Sequence, residues 1–243
     1  MQVTLHRAHE RGIAEHGWLH SRFSFSFADY HNRERMGFGV LRVINDDIIE
    51  PGSGFGMHPH RDMEIITIVT HGMLEHKDSE GNHGIISAGE IQYMSAGSGV
   101  EHSEFNPSDQ DRTELFQIWI YPHTKGLPPR YEQHKCDAES MNRWELLVSG
   151  DGRKGSLAIR QDACIKKAHL YIGHTLVSDN CKPGHGRLLL VMSGELEACG
   201  YTLKARDELQ ILGEESFEIT TDREAQLLLF DLPMHNAPPV GED

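Results

Sequence analysis

The sequence predicts an all-β chain in two similar halves, and three observations carry that prediction. Short β-rich runs recur along the 243 residues, punctuated by 24 glycines and 10 prolines. Single-residue spacings place two pairs of metal-ligating side chains on strand faces. A faint copy of the first half returns about 120 residues later.

The elements follow in order. Phe23, Phe25 and Phe27 stand at every second position, so a strand would carry all three rings on one face. That face reads as core, with the wall of a pocket for a flat aromatic ligand as the alternative. Residues 37–45 are β-rich, and Asp46-Asp47 supplies turn chemistry before Ile48. Met63 to Val69 is almost continuously apolar, as a strand buried on both faces would be. The polar run HKDSEGNHG (76–84) predicts a hairpin. Leu115 to Tyr121 is a further strand, ended by Pro122. A connector over 125–131, with two adjacent prolines and a glycine, puts the boundary near Cys136, giving halves 1–136 and 137–243. Leu227 to Leu232 is the final strand, and the proline-rich tail after Pro233 is expected to fray.

The repeat is legible in two places. Ser193-Gly194-Glu195-Leu196-Glu197 aligns with His71-Gly72-Met73-Leu74-Glu75, and 207–212 aligns with 89–94. A four-residue shortening separates the two offsets, as duplicated barrels would leave behind. Carried back, the offsets map positions 58 and 60 to Asn180 and Lys182, and 102 and 104 to Thr220 and Asp222. None of these repeats a histidine pair, so the second half is expected to lack a metal.

The candidate site lies between Gly52 and Asn106. His58 and His60 form one pair and His102 and Glu104 the other; residues at i and i+2 share a strand face, so two strands offer two donors each. Three imidazoles and one carboxylate would hold a divalent first-row metal and leave positions free for substrate. Pro59 donates no hydrogen bond, so its strand belongs at an edge, a bulge or a beginning.

Gly52, His58-Pro59-His60, Glu64 and Gly72 match the first cupin motif, and Gly89, Ser95-Ala96-Gly97, His102 and Asn106 resemble the second. With GWLHSRFSFSFADY, GFGVLRVINDD, HPHRDMEI and MSAGSGVEHSEFN, the chain resembles the pirin family, specifically its bacterial quercetin 2,3-dioxygenase branch, over nearly all of residues 5–135. That resemblance implies a bicupin, two double-stranded β-helix (jelly-roll) barrels face to face, with the first holding one divalent metal. Iron(II) is the implied metal; manganese, cobalt, nickel, copper and zinc suit the same donors. The resemblance makes His58, His60, His102 and Glu104 the ligands, with Glu104 also the base that takes the flavonol hydroxyl proton. Glu64 is expected to orient a ligand histidine through its free N–H. The implied reaction cleaves flavonols such as quercetin with O2 to a depside and carbon monoxide. The alternative is a metal-dependent regulator or adaptor acting through a protein partner.

Charge limits the partners. With 23 basic and 37 acidic residues the formal net charge is −14, which repels a phosphate backbone and argues against direct nucleic-acid binding. The polar start MQVTLHRAHERG lacks the apolar core of a signal peptide, and no run of about eighteen apolar residues occurs, so a cytoplasmic protein that neither spans nor enters a membrane is expected. A monomer is expected. Cys136, Cys164, Cys181 and Cys199 are widely spaced without C-x-x-C and read as free thiols.

Overall fold

The computed structural model describes residues 1–137 and 140–234. Its first strands are β1 (Gln2–His6), β2 (Gly12–Glu15), β3 (Leu19–Phe23), β4 (Leu41–Ile49), β5 (Gly54–His60), β6 (Glu64–His71), β7 (Met73–Asp78), β8 (His83–Ser87), β9 (Glu90–Ser95), β10 (Val100–Phe105), β11 (Thr113–Ile120) and β12 (Arg130–Lys135). The later ones are β13 (Glu145–Ser149), β14 (Leu157–Ala158), β15 (Cys164–Leu170), β16 (Thr175–Val177), β17 (His185–Ser193), β18 (Glu195–Ala198), β19 (Tyr201–Lys204), β20 (Glu208–Leu212), β21 (Glu218–Thr220) and β22 (Ala225–Pro233). Among the described residues no helix is long and apolar enough to cross a membrane.

The strands make four sheets, a seven-stranded and a four-stranded one in each half. In the first half the order β12-β9-β6-β11-β4-β3-β2 faces β5-β10-β7-β8. The fold is a bicupin. The large sheets of the two halves pack on each other through one shared core, in which Ile44, Ile66, Phe116 and Ile118 meet Leu188, Leu190, Leu228 and Phe230. Strand period decides this: alternate residues of β4, β6, β9 and β11 face the other half, and those between them face the interior of the first barrel.

The inward residues of the first barrel fall in three layers. Leu19, Ile49, Val69, Leu74, Ile86 and Leu115 fill one end, and Met63, Ile65, Met94 and Val100 fill the other. Between them runs a polar row across four neighbouring strands, Asn45, Gln117, Thr67 and Gln92, paired in direct register. A buried polar belt inside an apolar barrel is costly unless its members are hydrogen-bonded to one another or to a guest. The site lies at this level.

The repeat is visible in the backbone. Gly72 (φ +71°) and Gly194 (φ +80°) close equivalent turns, and a Cβ on either would meet a carbonyl oxygen, Arg112 at 2.5 Å or Glu224 at 2.1 Å. Only glycine fits both the positive φ and the close approach.

Three expectations need correction. The division at residues 1–136 and 137–243 fails at the amino terminus: β1 pairs antiparallel with β20 of the second half, Gln2 opposite Leu212 and His6 opposite Glu208. Val3 and Leu5 pack against the second barrel's core, and the exposed edge of β20 is covered. The phenylalanines do not share a face, because β3 ends at Phe23: Phe23 and Phe27 line a cavity, with ring centroids 5.3 Å apart, whereas Phe25 enters the core between the halves. Asp46 and Asp47 make no turn; β4 runs straight through them because each has a partner across the sheet. Asp46 accepts from Arg206 Nε at 2.8 Å, and Asp47 accepts from the Ser21 hydroxyl.

The offsets also slip before β21. Glu197 faces Thr220 where its counterpart Glu75 faces Phe105, so Ile219, not Asp222, stands where Glu104 stands in the first half. Phe217 and Ile219 are buried in an apolar core there. The tail beyond Met234 lies outside the described residues. Cys136, Cys164, Cys181 and Cys199 are free thiols.

Candidate metal centre

β5 is the edge strand of its sheet, as Pro59 requires. It pairs with β10, His58 directly opposite His102, and the register shifts between His102 and Glu104. The extra residue lies on β5, between Phe55 and His58, while His102 and Glu104 keep the i and i+2 spacing that puts both on one face of β10. Ring centroids stand at 4.4 Å for His58 and His102, 4.9 Å for His58 and His60, and 4.9 Å for His60 and His102.

The donor atoms fall into two sets that share His102. The His58, His60 and His102 nitrogens lie within 4.8 Å of one another; so do the His76 and His102 nitrogens and a Glu104 carboxylate oxygen. His58 is oriented by donating Nδ1–H to the Gly56 carbonyl at 2.7 Å, which leaves Nε2 free. His60 Nε2, both His102 nitrogens and Glu104 Oε1 are buried without a hydrogen-bond partner. Orphaned buried polar atoms are rare in a folded protein, and a cation in either set would satisfy the donors of that set, including one of the two His102 nitrogens. The residues therefore fit a divalent metal.

Burial, then the neighbouring imidazoles, pulls the proton affinity of His60 and of His102 down to about 3, so both rings are neutral donors well below neutral pH. Burial pushes the Glu104 carboxyl up, and His76 and Gln117 oppose that. Gln117 Nε2 donates to Glu104 Oε2 at 2.9 Å.

His76 was hidden from the sequence reading. It sits on β7 with no exposed surface, its Nε2 3.2 Å from Asp78 Oδ2, its ring stacked on Tyr131 at 4.8 Å and 5.3 Å from His102. His76-Lys77-Asp78 repeats the single-residue spacing of the two recognised pairs, and that was the available signal. Burial pushes Asp78 up, but side-chain and backbone N–H groups of Asn82 outweigh it and hold the carboxyl below its ordinary range.

Glu64 does not orient a histidine. It points from the opposite face of β6 toward the second half and accepts hydrogen bonds from the Tyr93 hydroxyl, from Ser95 Oγ at 2.6 Å and from the Arg160 backbone N–H at 2.9 Å. One residue of strand parity separates it from the site.

An apolar cavity of about 300 Å³ opens beside the donors. Trp18, Phe23, Phe27, Phe55 and Trp119 wall it, and His58, His60, His102 and Glu104 line one side. A more open cavity of about 640 Å³ shares His60 and Trp119 with it.

Similarity to known proteins identifies the family. The pirin family model matches residues 5–120, and a model described as the quercetinase C-terminal cupin domain matches residues 146–232. The chain is 45% identical over 232 residues to a quercetin 2,3-dioxygenase of Escherichia coli strain K12, covering 95% of this chain and 99% of that one. The chain belongs to the pirin family. It is also 40% identical to a pirin-like protein of Caulobacter vibrioides, over 90% of this chain and 95% of that one. The crystal structure of the bacterial pirin YhhW from Escherichia coli in complex with nickel(II) superposes with a TM-score of 0.91 at 44% identity, covering 96% of this chain and 99% of that one.

Proposed function

We propose that this pirin is a metal-dependent dioxygenase that opens flavonols such as quercetin with O2, releasing a depside and carbon monoxide. One observation carries the reading: partnerless donors form one wall of a cavity whose other walls are aromatic rings. A cavity of about 300 Å³ is at the small end of ligand pockets, on the order of 300–1,000 Å³, and suits a flat three-ring molecule. The relative named quercetin 2,3-dioxygenase and the nickel(II) complex of YhhW support the same reading.

His58, His60, His102 and Glu104 would hold the metal, iron(II) by preference, with manganese, cobalt, nickel and copper also suited to nitrogen and oxygen donors. A divalent transition metal held there would supply Lewis acidity toward the flavonol oxygens. Glu104 Oε1 has no partner inside the protein and takes the proton of the flavonol 3-hydroxyl, while Gln117 restrains Oε2. The aromatic walls hold the substrate rings flat and keep bulk water from the reacting carbons.

The test is oxygen uptake and loss of flavonol absorbance with protein loaded in turn with iron(II), manganese, cobalt, nickel and copper. Turnover that disappears in His102→Ala is the expected result. No consumption of quercetin with any of these metals would refute the assignment.

A further inference from the structure

The cavity contains polar groups that the chemistry above leaves unused. Asn45 and Asp47 alternate with Asp46 along β4, so both side chains face the cavity while Asp46 faces the second half. Asn45 is 4% exposed and its Oδ1 has no hydrogen-bond partner. Trp119 also lines the cavity, and its Nε1, a donor only, is buried and unpartnered. Asp47 is 4% exposed and takes a hydrogen bond from the Ser21 hydroxyl, but no cation pairs with it among the described residues. Its neighbour Asp46 holds both nearby arginines, Arg206 at 2.8 Å and Arg11 at 3.5 Å.

A buried carboxyl without a cation and an amide oxygen without a donor are expensive in an apolar pocket unless a guest completes them. Burial, opposed by Ser21, holds the Asp47 carboxyl up at about 7, so near neutral pH it can both give and accept a hydrogen bond.

We infer that Asn45, Asp47 and Trp119 form a hydroxyl-recognition subsite that selects polyhydroxylated aromatic ligands and fixes which of their rings lies against it. Ring hydroxyls donate to Asn45 Oδ1 and to the Asp47 carboxyl, and a ligand oxygen accepts from Trp119 Nε1. The inference rests on the flavonol reading and deepens it, since chelation alone would not distinguish flavonols that share the 3-hydroxyl and 4-carbonyl. The unpaired groups do, because a ligand lacking ring hydroxyls leaves them unsatisfied.

The test is anaerobic calorimetric titration of metal-loaded protein with quercetin and with 3-hydroxyflavone, which keeps the chelating pair and lacks the other hydroxyls. Wild type is expected to bind quercetin at least about tenfold more tightly, in line with one buried hydrogen bond. In Asp47→Ala the ratio should fall severalfold with metal content unchanged, and Asp47→Asn should restore part of it. Asn45→Leu should shrink the ratio independently, which keeps the test decisive if one variant folds poorly. An Asp47→Ala ratio equal to that of wild type overturns the subsite. So does a wild type that consumes quercetin without preferring it, which leaves the flavonol reading standing. A wild type that binds neither ligand refutes that reading and the subsite with it.

Discussion

Gln117 ties Glu104 to the barrel wall: its Nε2 donates to Glu104 Oε2 at 2.9 Å, and its Oε1 accepts from Thr67 Oγ1 at 2.9 Å. All three side chains are buried, so the amide has one orientation that satisfies both neighbours. Thr67 and Gln117 face each other across β6 and β11, which makes this chain of bonds a consequence of sheet register. Gln117→Leu removes the restraint and leaves a buried carboxylate oxygen unsatisfied. Metal affinity, measured by competition with a chromophoric chelator, should weaken about 10- to 100-fold, as for other groups that orient a ligand. An unchanged affinity would show that Glu104 does not need Gln117.

The Asp47 carboxyl gives a pH-dependent prediction. Burial raises it from 3.8 to about 7, so the folded protein holds this proton more tightly than the unfolded chain. Its contribution to stability is therefore complete below the unfolded value and is lost as the pH rises through about 7. The ceiling of that loss is about 4 kcal/mol. Asp47→Asn cannot ionise and should melt several degrees above wild type at pH 8, with the gap closing toward pH 4. Melting curves at both pH values check this, and a variant less stable at pH 8 would count against it.

These two groups mark the limit of what the sequence alone disclosed. His58, His60, His102 and Glu104 were legible because strand period turns a single-residue spacing into a shared face, and Pro59 marked an edge strand. Asp46-Asp47 was misread as a turn because what holds it in a strand, Arg206 and Ser21, lies 160 and 26 residues away in sequence. His76 was masked by the turn residues around it. Glu64 fell on the wrong face by one residue of parity, which depends on where β6 starts. The second-half counterparts of the ligands were mis-mapped because a deletion falls between β20 and β21, where Gly213 alone stands against Gly97 and Gly99 and leaves the offset open.

Glu208 anchors the packing of the halves. It accepts from Arg35 Nη2 at 2.9 Å and lies 3.6 Å from Arg11 Nε, with side chains 5%, 1% and 1% exposed for Arg35, Arg11 and Glu208. Ser24 also donates to it. Removing the carboxylate leaves the buried Arg35 guanidinium uncompensated and Arg11 with Asp46 alone, which costs about 3–5 kcal/mol. Glu208→Ala should lower the denaturant midpoint accordingly, and Glu208→Gln, which keeps the acceptor oxygen, should lose less. Equal losses in the two variants would show that the lost charge alone sets the cost and that the acceptor oxygen and side-chain packing add nothing.

The strand exchange at the amino terminus leads to the last prediction. β1 adds five residues to the edge of β20, and its Val3 and Leu5 cover the second barrel's core. Arg7 extends the connection, donating Nη1 to Asp207 Oδ2 at 2.7 Å, and the Ala8 backbone N–H donates to Asp207 Oδ1 at 2.8 Å. Removing residues 1–6 bares both the hydrogen-bonding edge of β20 and the apolar surface beneath it, a combination that invites edge-to-edge association. The truncated chain should melt several degrees lower and elute on size exclusion as larger species in proportion to its concentration. Metal binding should persist, since no donor lies in the second half's sheet; a truncated chain that keeps full stability and the elution of the intact one would show that β1 is dispensable to the fold.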